Sequence, residues 1–395
     1  MIKRTNLFIF LLVPVVFLGQ GVIFENSLKT TFEKAQKENK PVFIEYYNST
    51  CIICKSITPL FDDPKMADFY NANFISYKIN THGGLQKDEE YFMEQARIHF
   101  SGVPYFMFFD KNKNFIHYSG AKADVDYLIK IGQTALDPNQ RTGSLESKYE
   151  SGDRSIKTLY AYTDLLQLYK NEKKTNLISD ELYQVYPKER LGTHQSYLIL
   201  KNAVFDIENG FFKYWYSNRE NLIGIEKGKQ SGEEYKILER IVLNSLRSTE
   251  KLSWNTSKIN QVKSIISTLK ISDNPDDFLW EAECAALVRE DRADETLKKM
   301  NHLLQENENN IFSSIYIVQF TQDLLKEKQH LEIIKKAIDR LKNKEMKPEQ
   351  MGDLMILETN YFKQIHDKIN YNHAKHRTQT YFEKHELDIS LLSNL

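Results

Sequence analysis

The feature that most constrains this chain is a short apolar run that delivers two cysteines. Residues 41–47 read Pro-Val-Phe-Ile-Glu-Tyr-Tyr, and Cys51-Ile52-Ile53-Cys54 follows after three polar residues. A run this short, rich in β-branched and aromatic side chains, reads as a buried central strand. Residues 52–60 then read as a helix, so Cys51 falls at a strand-to-helix junction, where unpaired amide groups and the helix dipole favour a thiolate. The thiolate is the form that attacks a disulfide. Cys54, one helical turn on, is placed to resolve the resulting mixed disulfide.

Around this junction strand and helix signals alternate through residues 22–140. Residues 27–39 predict an amphipathic helix capped by Ser27, with Leu28, Phe32 and Ala35 on one face. Residues 73–79 predict a second strand, 87–100 a charged amphipathic helix, and 103–109 a third strand entered through Pro104. The polar stretch 110–114 turns the chain into a hairpin partner at 115–118, and a last helix covers 125–135. This order implies a mixed sheet with helices on both faces, an α/β domain.

The rest of the chain has another character. With 395 residues, about two or three domains are expected. Residues 141–395 carry almost no strand signal, and the scarcity of glycine and proline (15 and 9) also favours helices. Helical periods recur at 156–169, 177–185, through the 230s–260s, and at 278–288, 295–304, 311–325 and 331–341. Paired helices at spacings in the thirties point to an all-α array of tetratricopeptide type, although no full repeat consensus recurs and irregular stacked helices fit as well.

Residues 1–21 read as a signal peptide. Lys3 and Arg4 precede an apolar run at 7–18, and Gly19 and Gly21 supply small residues at the cleavage site. The run is shorter than the roughly 20 residues of a membrane span, and an uncleaved signal anchor is the alternative. The mature protein is therefore expected in the periplasm or another extracytoplasmic, disulfide-permissive space. Acids and bases nearly balance (net charge −1), which gives no reason to expect nucleic acid or an anionic surface as partner. Contact with a membrane is expected only through an uncleaved signal.

Residues 25–135 resemble the thioredoxin family. The matching positions are the strand before the cysteines, Glu45, Pro59, Lys78, the segment Ser101-Gly102-Val103-Pro104, and Gly120. The resemblance implies a thioredoxin fold in which Cys51 is the nucleophile and Cys54 the resolver. It further implies that Glu45 takes the resolving proton, with Lys78 as its partner, and that Pro59 kinks the active-site helix. Val103 and a cis Pro104 would pair with the substrate backbone. The departures are Thr50, where the family usually has an aromatic residue, and Ile52-Ile53 in place of Gly-Pro. Two isoleucines donate nothing to the thiolate from their side chains, so the pair is expected to be a reductant or isomerase-like element rather than a strong oxidant. They also offer apolar surface to a partner. The overall plan resembles exported bacterial thioredoxin-family proteins with an added helical C-terminal region.

The expected activity is thiol–disulfide exchange on protein disulfides, recharged by an unknown upstream redox partner. No cofactor is expected beyond the cysteine pair. A structural disulfide remains open for the pair, whereas zinc would need two further ligands. Cys284 reads as a small core residue, and His373 and His376 read as a solvated helix face rather than a metal site. The aromatic run at 211–216 reads as helix packing. The rival reading is a non-catalytic scaffold whose helical region recognises partners while the α/β domain serves as a docking platform.

Overall fold

The computed structural model describes residues 21–100, 102–226, 233–393 and 395. The expected signal segment, all but its last residue, lies outside these. The chain divides into two compact units. One runs through Val204 and includes Glu208–Tyr214; the other comprises Phe205–Ile207 and Trp215–Leu395.

The first unit is built on a four-stranded sheet in the order β2-β1-β3-β4, with β1 Val42–Tyr47, β2 Ile75–Asn80, β3 Tyr105–Phe109 and β4 Phe115–Gly120. β1 is parallel to β2 and antiparallel to β3, and β3 pairs with β4 as a hairpin. The centre of β1 is closed on both faces: Val42, Phe43, Ile44 and Glu45 all have 0% exposure. Alternation sorts their side chains. Phe43 joins Ile57, Phe61, Tyr70, Phe106 and Phe108 on one face. Ile44 joins Leu28, Phe32, Ile79, Met107 and Phe109 on the other. Each side chain withdrawn from water in this way contributes roughly 1.5–3 kcal/mol.

Five helices accompany the sheet: α1 Leu28–Glu38, α2 Ile52–Ile57, α3 Pro64–Asn73, α4 Lys87–Ala96 and α5 Val125–Leu136. α1 starts where the Ser27 hydroxyl accepts from the Thr30 amide and stops at Asn39, which takes a left-handed conformation (φ 53°). α3 was not expected from the sequence. Asp63 caps it, accepting from the amides of Lys65 and Met66, and Pro64 occupies its first turn. α4 is shorter than its expected span of 87–100. Arg97 turns left-handed (φ 55°), and Ile98 is buried beyond it. The His99 amide then donates to the Leu168 carbonyl at 2.9 Å, so this backbone serves another helix instead of continuing α4.

That other helix is α7 (Ile156–Leu168), flanked by α6 (Leu145–Glu150), α8 (Glu172–Val185) and α9 (His194–Ala203). The Tyr118 hydroxyl of β4 donates to the Asp164 carboxylate of α7, and the rings of Phe115 and Tyr169 meet edge to face. The first helices after the α/β fold therefore belong to the same compact unit as the sheet. α10 spans Gly210–Ser217, and its Phe211, Phe212 and Trp215 are buried.

The second unit is helical: α11 Lys236–Arg247, α12 Thr256–Thr268, α13 Asp276–Arg289, α14 Ala293–Glu306, α15 Ile311–Leu324, α16 Lys328–Lys342, α17 Pro348–Gln364 and α18 Lys368–Lys384. The last six form three successive hairpins. The leading helix of each packs on the leading helix of the next (α13 on α15, α15 on α17), and α14 packs on α16. Their shared core includes Met300, Val318, Leu331, Ile334, Ile338 and Leu354. Glu358 of α17, mostly buried, is held by Lys335 at 3.2 Å, Lys342 at 2.6 Å and Arg377 at 3.2 Å. Among the described residues no helix is long and apolar enough to cross a membrane.

Candidate functional site

The turn after β1 is shaped by asparagines. Asn48 accepts from the Thr50 amide at 2.9 Å, and its carbonyl accepts from the Cys51 amide at 3.1 Å. Asn80, at the end of β2, accepts from the Ser49 amide at 3.2 Å. Sequence reading gave neither residue a role in shaping this turn, although an Asx turn at Asn48 was signalled by its place between strand and helix. The result is that Cys51 becomes the N-cap of α2, and its sulfur accepts from the Cys54 amide at 3.4 Å.

The two thiols are free and sit in opposite surroundings. Cys51 is partly exposed, whereas Cys54 is buried at 1% exposure. Hydrogen bonds from the Cys54 thiol and amide hold the Cys51 thiol below its ordinary pKa, and Lys55 adds a smaller favourable charge. Burial pushes Cys54 up to about 11, and the neighbouring Cys51 and Glu45 push in the same direction. One thiol is acidic and accessible, its neighbour protonated and enclosed. Ile52 and Ile53 stand beside Cys51 at 84% and 53% exposure, an apolar surface at the mouth of the site.

Beneath the pair lies Glu45, fully buried in the middle of β1. Register places it opposite Lys78, whose ammonium is 3.1 Å from its carboxylate. Burial raises the Glu45 pKa, and the lysine charge opposes that rise. Lys78 is itself held between aromatic faces, 4.2 Å from the Phe24 ring centre and 4.1 Å from that of Phe61. This aromatic clamp had no signal in the sequence, because Phe24 and Phe61 meet only after folding.

α2 gives way after Ile57 to a 3₁₀ turn, Thr58–Asp62, that contains Pro59. Proline has no N–H to continue the α ladder, so the change of geometry falls where the family resemblance put a kink. The Val103–Pro104 peptide is cis. Pro104 precedes β3, whose Tyr105 pairs with Tyr46 near the end of β1, so the proline and Cys51 lie at the same end of the sheet. The Pro104 carbonyl accepts from the Ala121 amide. The N–H and C=O of half-buried Val103 make no hydrogen bond among the described residues, and Gly102 beside it is exposed. Gly120 ends β4 opposite Tyr105.

Other sequence candidates fall elsewhere. Cys284 is fully buried in α13, with its thiol pushed up to about 12 by burial. His373 and His376 lie on α18, and no group of three or more His, Cys, Asp or Glu among the described residues is placed to hold a metal ion.

Residues 24–131 match the family model for thioredoxin. No curated protein matches the chain.

Proposed function

We propose that this chain, thioredoxin-like over residues 24–131, is a thiol–disulfide oxidoreductase that acts on protein disulfides outside the cytoplasm, as a reductase or isomerase rather than a strong oxidant. The observation that carries the reading is the asymmetry of the pair: an accessible Cys51 of lowered pKa beside a buried Cys54 raised to about 11. Cys51 thiolate attacks one sulfur of a substrate disulfide, forming a mixed disulfide and expelling the other sulfur as a thiolate, which takes a proton from water. Cys54 then loses its proton to the Glu45 carboxylate and attacks Cys51. The Cys51–Cys54 bond forms, the mixed disulfide breaks, and the substrate leaves with two electrons from the pair. An upstream thiol donor must return those electrons.

The unpaired backbone of Val103 supports a substrate strand lying along the cis-proline loop. Ile52 and Ile53 support the choice of direction, since neither side chain donates a hydrogen bond to the thiolate. The sequence features of residues 1–21 support export.

A scaffold reading has one observation in its favour: Phe312 and Tyr316, one turn apart on α15, are exposed at 73% and 43%. Reduction of insulin disulfides by purified protein separates the two. The enzyme reading requires turnover that Cys51→Ser abolishes. Absence of turnover by the wild type, with an inert Cys51 thiol, contradicts it.

A further inference from the structure

A cavity of about 720 Å³ opens on the face of the sheet opposite α2, within the first unit. Its walls come from two parts of the chain. Tyr46, Phe100 and Tyr105 belong to the thioredoxin-like segment, whereas Asp164 comes from α7, beyond residue 131. The cavity is therefore a property of this chain's combination of parts and not of the fold it shares with the family.

The position is informative. Tyr105 follows Pro104 directly, and Phe100 precedes the loop that carries Val103, so the backbone that lines the cavity runs on into the cis-proline loop. The chemistry is equally specific. Phe100 and Tyr105 stack at 4.1 Å with their planes 15° apart, and the Tyr46 ring stands 5.2 Å from Phe100. Three carboxylates (Glu90, Glu94 and Asp164) and one lysine, Lys170, line the same cavity, with His99 the remaining titratable group besides the tyrosines. Glu90 and Glu94 make no ion pair among the described residues. Asp164 is oriented by the Tyr118 hydroxyl, which donates to it. Aromatic faces and unneutralised carboxylates in one recess are the complement of an organic cation.

We propose that this cavity is a specificity subsite that takes the arginine or lysine side chain of a protein substrate whose backbone lies on the Val103–Pro104 loop. It rests on the redox reading only for the identity of the chain that presents the cation. The guanidinium or ammonium stacks on Tyr105, Phe100 or Tyr46 and pairs with Glu94 and Asp164. Specificity then comes from a region on the far side of the sheet from the thiols, joined to them by the loop.

The test uses synthetic disulfide peptides in which arginine, its neutral isostere citrulline, or glutamate stands at successive distances from the reacting cysteine. At one distance arginine lowers KM by about fivefold relative to citrulline with kcat unchanged. Glu94→Gln and Asp164→Asn each reduce that preference while leaving turnover of the citrulline peptide intact. Equal KM for all three side chains at every distance, with turnover present, overturns the subsite. If no peptide is turned over, the redox reading fails, and NMR titration of the protein with a cysteine-free arginine peptide decides the cavity by itself. Saturable shifts at Tyr46, Phe100 and Tyr105 that the citrulline peptide does not produce support it, and their absence overturns it.

Discussion

Limiting alkylation of the reduced protein exposes the asymmetry on which the mechanism depends. With Cys54 at about 11 and Cys51 below its ordinary 9, at least two pKa units separate the thiols. At pH 7 the thiolate fraction of Cys54 is about 10⁻⁴ and that of Cys51 above about 10⁻², a ratio of roughly 100 or more. A more acidic thiolate is intrinsically a weaker nucleophile. With a Brønsted slope near 0.5 this returns a factor of about 10, so acidity alone leaves Cys51 at least about tenfold faster. Burial of Cys54 at 1% exposure widens the gap. Brief treatment with substoichiometric iodoacetamide, followed by peptide mass spectrometry, should find the label on Cys51 with little on Cys54. The rate at Cys51 should also reach its midpoint below pH 9. Comparable labelling of the two thiols, or a Cys51 midpoint at or above pH 9, would refute the reasoning.

Two pH-dependent outcomes follow from buried groups. Glu45 has its pKa raised by burial, so the folded state holds its proton more tightly than the unfolded chain. Stability from this group is complete below the unfolded value near 4.5 and is lost as pH rises through the folded pKa. Glu45→Gln should therefore raise the melting temperature at neutral pH, with the gain vanishing in acid, while slowing resolution of the mixed disulfide by a factor of about 10². Thermal melts and rapid-quench kinetics check the two parts. His117 runs the opposite way. Burial lowers it from 6.5 to about 4, so its neutral form stabilises the fold above 6.5, and that contribution is lost as pH falls towards about 4. The 2.5-unit difference corresponds to an upper figure of about 3 kcal/mol. Chemical denaturation between pH 7 and 4 should show the decline, and His117→Phe should flatten it.

Much of the thioredoxin-like segment was legible in residues 41–54. A strand buried on both faces has to be short and continuously apolar, and a CxxC pair directly after it has few other settings. The later helices were legible for a similar reason: apolar residues recur with helical period within 278–288, 295–304, 311–325 and 331–341, and these segments match α13 to α16 within a few residues. What stayed hidden depends on contacts between distant residues. Helix α3 carries local signals in Asp63 and Pro64, but its apolar face is weakly patterned, since Tyr70 is buried while donating its hydroxyl to the Leu128 carbonyl. The early end of α4 is set by the docking of His99 on α7, a segment nearly 70 residues away in sequence. The aromatic clamp on Lys78 unites Phe24 and Phe61 from either side of the cysteine pair. The cavity beside the cis-proline loop could not be anticipated either, because Asp164 and Tyr118 become neighbours only when α7 packs on the sheet.

The most direct test of the central claim is capture of the reaction midway. In a Cys54→Ser protein the resolving thiol is gone, while Cys51 keeps its place at the start of α2. Incubated with oxidised insulin, this variant should accumulate a mixed disulfide that non-reducing electrophoresis reveals and that mass spectrometry locates at Cys51. Dithiothreitol should release it. If no adduct forms at Cys51, or if the Cys51→Ser variant reduces insulin as fast as the wild type, Cys51 is not the nucleophile of a disulfide-exchange reaction.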